Sequence, residues 1–341
     1  MNTSDSNPSP EDEGPNLKFA AIAGTVVLSI MLIAVYFLRQ SPHLAEQRHV
    51  LATIPPLHSL VSGIMGDSGT PVLLLPGGTS PHSHSLRPSE NEAFYRAQLI
   101  IWVDPKVETI LPRMINHLPN HIYLLQVGKL DDLTRLPARR GGLWQTGATD
   151  ERAAEDVKLL GAAAPDRDDG NDPHVWLDPM NAVVWVNSIA DNLSALDPPK
   201  GIYYRQNADA LIERLHALDA ELREQLAPLT DRPYLVYHDA YRYLEARYGL
   251  NPVGAFTVSA DRPISAQRFT ELQSALRDGD ATCLFVEPQF PPQQAERLVE
   301  ETGVKMAYLD PLGVGLVPGP DLYFRLMRNL GKALVDCLGS S

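Results

Sequence analysis

The chain has 341 residues, 44% of them apolar and 21% charged, with a formal net charge of −13. That length suits two domains of ordinary size, and the apolar-to-charged balance argues against a disordered or fibrous polymer. The acidic surplus, with no basic stripe, argues against nucleic acid as a partner, because phosphate contacts need clustered Lys and Arg.

Residues 1–18 read as a disordered acidic tail. Residues 19–38, "FAAIAGTVVLSIMLIAVYFL", are uncharged and mostly apolar. As a helix they would span about 30 Å, the thickness of a bilayer's hydrocarbon core. The following "YFLRQSPHLAEQ" offers no convincing cleavage site, so an uncleaved transmembrane anchor is expected rather than a removed signal peptide. Lys18 precedes the segment and Arg39 and Arg48 follow it, which by flanking charge alone would place the body inside.

From residue 49 apolar runs alternate with helical patterns. "HVLATI", "PVLLL", "LIIWV" and "IYLLQV" read as strands, with helices at 57–66, from Ser89 and around 106–117. After residue 230 the alternation returns, with strands at "YLVYH", "PVGAFTV", "TCLFVE" and "KMAYLD". Helices end at Gly249, start at Ser265, and cover 293–302 and 321–337. The expected architecture is α/β: two lobes, each a parallel β-sheet flanked by helices. The lobes are expected at 48–180 and 231–338, separated by a linker at 181–230. Within the linker Leu211, Leu215, Leu218, Leu222, Leu226 and Leu229 repeat at spacings of three and four, marking one apolar face of a long helix over 201–229. Its place between two α/β blocks favours a rigid connecting spine over an ordinary packing helix. Residues 137–172, polar and rich in Gly, Ala and Asp, read as a surface loop of the first lobe. Its "DRDDGND" lacks the spacing and terminal glutamate of a calcium loop.

In open parallel sheets ligands bind beyond the carboxyl ends of the strands. His82 and His84 follow "VLLL" through a Pro-Gly-Gly turn, and His238 follows "YLVY" directly, with Asp239 placed to cap the next helix. Glu287 follows "TCLFV" and Asp310 follows "KMAYL". His174 lies in "DPHVWLDP" just ahead of Asp178-Pro179, an N-cap with proline at the first helical position. Three separated imidazoles and a carboxylate suit tetrahedral Zn²⁺. Taken singly, each of these side chains fits better as a hydrogen-bonded loop residue; taken together, the residues alone leave both readings open. No H-E-x-x-H, G-x-S-x-G, P-loop or G-x-G-x-x-G occurs, so no catalytic nucleophile can be named. The two cysteines, Cys283 and Cys337, form no C-x-x-C; they read as reduced bystanders in the cytosol or as a bridge after export.

Together, "LLPGGTSPHSHSLRPSE", "DPHVWLDP", "YLVYHDAYRYLEARYGL", "CLFVEPQF" and "LDPLG" resemble the ZnuA family of zinc-binding periplasmic substrate-binding proteins of bacterial ABC importers. The resemblance runs in order over about 48–338. It implies high-affinity Zn²⁺ capture and delivery to an ABC permease, without catalysis, by a monomeric soluble part in the periplasm. By position it implies His82, His174 and His238 as metal ligands, with Asp310 as the fourth. His84 stands where the family often has tyrosine, and it and Glu287 are expected beside the ligands. Relatives that bind manganese usually carry glutamate at the position of His238, so histidine there favours zinc over Mn²⁺ or Fe²⁺. A zinc hydrolase with Glu287 as general base is the distant alternative. Cys283 and Cys337 match positions that form a disulfide in some members. Location and disulfide both put the body in the periplasm, overriding the flanking charges. The family's histidine-rich loop has no counterpart in 137–172, which holds no histidine.

Overall fold

Short apolar runs, buried on both faces in their central members, build the first sheet. In the computed structural model, which describes residues 49–139, 142–144, 170–257 and 266–339, β1 (Val50–Ala52), β2 (Val72–Leu73), β3 (Leu99–Trp102) and β4 (Tyr123–Gln126) lie in the order β2-β1-β3-β4, all parallel. The expected acidic tail and transmembrane segment lie outside the described residues. Among the described residues no helix is long and apolar enough to cross a membrane.

Helix α1 (Pro55–Met65) starts on proline and stops at Gly66, and α2 (Pro88–Arg96) is closed by a capping box between Arg87 and Glu90. The helix expected around 106–117 is only α3 (Leu111–Ile115). The stretch before it is a turn whose Val107 and Glu108 amides both donate to the Asp104 carbonyl. A buried Glu108 carboxylate accepts from the Val103 and Asp104 amides, at 3.0 and 2.9 Å, and from the Thr53 hydroxyl. These bonds give the backbone of the turn its own partners, which competes with helix formation.

The second sheet has the order β5-β7-β6-β8-β9, with β5 (Gly142–Leu143), β6 (Pro233–His238), β7 (Asn251–Thr257), β8 (Cys283–Val286) and β9 (Lys305–Tyr308). β7, β6, β8 and β9 run parallel, while β5 pairs antiparallel with β7. Register slips by one residue between β6 and β7 near Pro252, which has no N–H to give the ladder. β5 corrects the expectation for 137–172: part of that segment is the edge strand of the second sheet rather than a loop of the first lobe. Its two residues have no strand pattern of their own, and the order comes from pairing with β7.

Alternation along these strands decides which face meets which layer. Tyr234, Val236, Cys283 and Phe285 join a core that continues through the first sheet, whereas Leu235, Tyr237, Leu284 and Val286 face a second cluster with Leu272, Leu276 and Leu298. Leu272 and Leu276 belong to α7 (Ala266–Arg277), and Leu298 to α8 (Gln293–Thr302).

Between the sheets in sequence come α4 (Pro179–Leu196), α5 (Gly201–Leu226) and the short α6 (Arg242–Tyr248). All six leucines of the 211–229 stripe are buried. A Cβ on Gly63 of α1 would lie 2.7 Å from Leu211, and one on Gly331 of the last helix, α9 (Leu322–Leu338), 2.8 Å from Leu222. Both glycines therefore let their helices approach α5 more closely than a side chain would permit.

The two halves touch at more places than one connecting helix would provide. The Tyr323 amide of α9 donates to Ser59 Oγ of α1 at 2.9 Å, Trp176 Nε1 donates to the Pro311 carbonyl at 2.9 Å, and the Tyr243 hydroxyl donates to the Asp172 carbonyl at 2.9 Å. Cys283 of β8 and Cys337 of α9 form a disulfide, with Cα atoms 6.2 Å apart.

Candidate metal centre

Each of the three histidines arrives from a different element. The chain leaves β2 through Leu74 and Leu75, whose amides continue the ladder onto β1, turns at Pro76-Gly77-Gly78 and delivers His82. The His82 ring donates from Nδ1 to the Lys106 carbonyl at 2.7 Å, in the turn that Glu108 organises. His174 follows an antiparallel stem in which Asp172 N donates to Leu136 O and Ala138 N to Gly170 O. Its ring Nδ1 lies 3.0 Å from Asp172 Oδ1. Val175–Leu177 then make one 3-10 turn before Asp178, which caps α4 by accepting from Met180 N at 2.8 Å, with Pro179 behind it. His238 ends β6, and its Nδ1 lies 3.3 Å from Glu287 Oε1 at the end of β8.

For His82 and His174 the partner is a carbonyl or a carboxylate, which only accepts, so Nδ1 carries the proton and the neutral ring keeps a lone pair on Nε2. His238 Nδ1 faces the Glu287 carboxylate without a geometrically sound hydrogen bond. Among the described residues, the donor atoms of His82, His174 and His238 lie within 4.8 Å of one another, and the ring centroids are 5.0 to 5.5 Å apart. His174 Nε2 is buried with no hydrogen-bond partner. The rings line a cavity of about 10 Å³ together with Trp176, Glu287, Gln289, Phe290, Pro311 and Leu312. That volume suits one ion or water, and the same three rings also border an adjoining cavity of about 230 Å³ shared with Lys106, Arg139 and Asp172. A tetrahedral Zn²⁺ with Zn–N of about 2.05 Å places its donors roughly 3.3 Å apart, so the rings close on an ion from separations of up to 4.8 Å.

Electrostatics separate the rings. Burial, and then the positive charge that His174 and His238 would carry, lowers the His82 pKa to about 3, so this ring stays neutral. Burial also works to lower the His238 imidazole, but the Glu287 carboxylate outweighs it and the pKa lies above the usual 6.5. Asp172 is held below the ordinary carboxylate range: burial opposes ionisation, and the charge and hydrogen bonds of His174 overcome it.

The other expected site residues lie elsewhere or play other parts. His84 is not brought into the cluster; its Nε2 faces Glu90 Oε2 at 3.0 Å and its Nδ1 faces Thr79 Oγ1 at 3.1 Å. Asp310 is not brought in either. Its Oδ1 accepts from the Leu312 and Gly313 amides, each at 3.0 Å, and from Gln289 Nε2 at 2.7 Å, while Oδ2 accepts from Val314 N. Asp239 does not cap α6, whose N-cap is Tyr241; its carboxylate is paired with Arg139, which also holds Glu245. Asp172, Arg139 and Gln289 were not singled out from the sequence. Asp172 stands two residues before His174 and could have been suspected from that spacing, whereas the partners of Arg139 lie about a hundred residues away.

The sequence profile of the family described as "Zinc-uptake complex component A periplasmic" matches residues 50–337. The high-affinity zinc uptake system protein ZnuA of Brucella abortus is 37% identical over 310 residues, covering 86% of this chain and 92% of that protein. Among solved structures, the Zn(II)-bound ZnuA-like domain of Streptococcus pneumoniae AdcA is 26% identical, with a TM-score of 0.63 over 85% of this chain and 98% of that one. A zinc-bound ZnuA deletion mutant shares the fold with a TM-score of 0.68 at 22% identity, over 86% of this chain and 99% of that one. A match that runs through both sheets and all three histidine-bearing segments leaves one conclusion: the chain belongs to the ZnuA family of periplasmic zinc-uptake components.

Proposed function

We propose that this protein captures Zn²⁺ with high affinity through His82, His174 and His238 and delivers it to an ABC importer permease. The observation that carries the reading is the convergence of one ring nitrogen from each of the three histidines to within 4.8 Å, with the Nδ1 atoms of His82 and His174 committed to acceptors elsewhere. Three neutral nitrogen donors suit zinc better than Mn²⁺, which favours oxygen ligands. Glu287 faces His238 Nδ1 at 3.3 Å rather than standing as a free base, which favours binding without catalysis.

The finer organisation belongs to the same proposal. The lobes at 48–180 and 231–338 are braced by α5, so loading moves them little. The soluble part is monomeric, held at the membrane by residues 19–38, and the Cys283–Cys337 bridge suits an oxidising periplasm. Competition titration of the purified protein against a calibrated zinc chelator, with His82→Ala beside it, tests the reading. Wild-type protein should outcompete the chelator at one zinc per chain and the variant should not; equal behaviour of the two would overturn it.

A further inference from the structure

We propose that Gln289 fixes the fourth coordination position of the zinc site by accepting a hydrogen bond from the metal-bound water, with Asp310 positioning it. This rests on the zinc-capture reading above. Gln289 lines the same cavity as the three histidines. Its Nε2 donates to Asp310 Oδ1 at 2.7 Å, and because an ionised carboxylate can only accept, this bond fixes which end of the amide is which. The remaining polar atom, Oε1, is buried and has no hydrogen-bond partner within the protein. A buried carbonyl oxygen without a donor is costly, and a water on Zn²⁺ is a strong donor with its protons directed away from the metal.

The carboxylates nearby are less suited to that position. Asp310 would have to abandon the Leu312, Gly313 and Val314 amides to turn toward the metal. The turn that presents those amides has Gly313 at φ +80° and is anchored on either side of Asp310, by Trp176 Nε1 on the Pro311 carbonyl and Tyr241 OH on the Leu309 carbonyl. Glu287 also lines the cavity and its Oε1 is buried without a geometrically sound hydrogen bond, but that oxygen sits 3.3 Å from His238 Nδ1, a nearby donor group that Gln289 Oε1 lacks. A chain of fixed contacts therefore runs from three backbone amides through Asp310 to the Gln289 carbonyl. Asp310 acts on the metal through Gln289, and the site stays three imidazoles plus one oriented water.

The test uses the full chain, loaded with Zn²⁺ for chelator competition and with Co²⁺ for visible absorption, which reports the ligand field directly. Gln289→Leu should weaken zinc roughly 10- to 100-fold, the range for removing an outer partner of a metal site, and should change the cobalt bands. Gln289→Asn, which keeps the amide on a shorter arm, should recover part of the loss. Asp310→Asn should produce a smaller shift of the same kind, and the double variant should be no worse than Gln289→Leu alone. An unchanged cobalt spectrum in Gln289→Leu would overturn the proposal. So would a larger spectral change in Asp310→Asn than in Gln289→Leu with additive effects, which would make Asp310 a direct ligand. Failure of wild-type protein to bind zinc at all would instead overturn the underlying reading.

Discussion

One oxygen of Asp172, Oδ1, receives both the backbone N–H of His174, at 2.8 Å, and its ring Nδ1, at 3.0 Å. A single carboxylate thus sets the backbone turn and the tautomer of the same residue. Asp172→Ala frees the ring to present either nitrogen, and zinc affinity should fall roughly 10- to 100-fold. Asp172→Asn keeps an acceptor and should lose less. Chelator competition beside a melting curve checks this; an Asp172→Ala protein with wild-type affinity would show that packing against Trp176 alone orients the ring.

The contrast between Asp172 and Asp310 shows what the sequence makes legible. Parallel sheets bury their strands on both faces, so apolar runs announce them, and ionisable residues at their ends stand out. His82 and His238 stand out for that reason and His174 by its place ahead of the Asp178-Pro179 helix start, and the structure brings all three together. Asp310 carries the same signal, but the Pro311–Val314 turn supplies amides that capture its carboxylate, and no pattern of residue types reveals that competition. β5 was invisible because its order is borrowed from β7. The shortened α3 follows from side-chain acceptors in the preceding turn, which helical spacing does not register.

The disulfide closes a separation of 54 residues between β8 and the last helix. Chain-entropy accounting gives such a loop a stabilisation of about 4 kcal/mol. Cys337→Ser should lower the unfolding free energy by a corresponding amount and steepen the slope with urea, because the released unfolded chain exposes more surface. The bridge lies in the core rather than among the metal-facing residues, so zinc stoichiometry should remain one per chain. Loss of metal binding in the folded variant would show that the bridge also sets the site.

Glu108 predicts a pH dependence of folding. Burial pushes its carboxyl up to about 7, against the pull of the Thr53, Asp104 and Val103 donors. The folded state therefore holds a proton that the unfolded chain has released above the ordinary value of 4.5. The stabilisation from this group is fully present below that value and is lost as pH rises through 7, amounting to up to about 3 kcal/mol. Urea unfolding with chelator present should show wild-type stability falling from pH 5 to pH 8 more than that of Glu108→Gln. Parallel curves for the two proteins would place the Glu108 pKa near its ordinary value. Because the Glu108 turn carries the Lys106 carbonyl that orients His82, the same variant reports whether that turn must be rigid for zinc to bind.

Arg139 is the sharpest test of how the chain beyond the first sheet is held to the second. Its guanidinium pairs with Asp239, next to His238, and with Glu245, both buried, while Trp144 lies over its face at 3.7 Å. Burial opposes charge on Glu245 and raises its pKa even with the arginine in place. Removing the cation leaves two buried carboxylates facing each other, a loss of about 3–5 kcal/mol for a broken buried pair. Arg139→Met should therefore be strongly destabilised at pH 8. At pH 5.5 the carboxylates can take up protons, and much of the loss should be recovered. If Arg139 served only to pack against Trp144, an apolar replacement would cost the same at both pH values. Denaturation of wild type and variant at the two pH values separates these cases, and an equal loss at both would remove the ion pairs from the account.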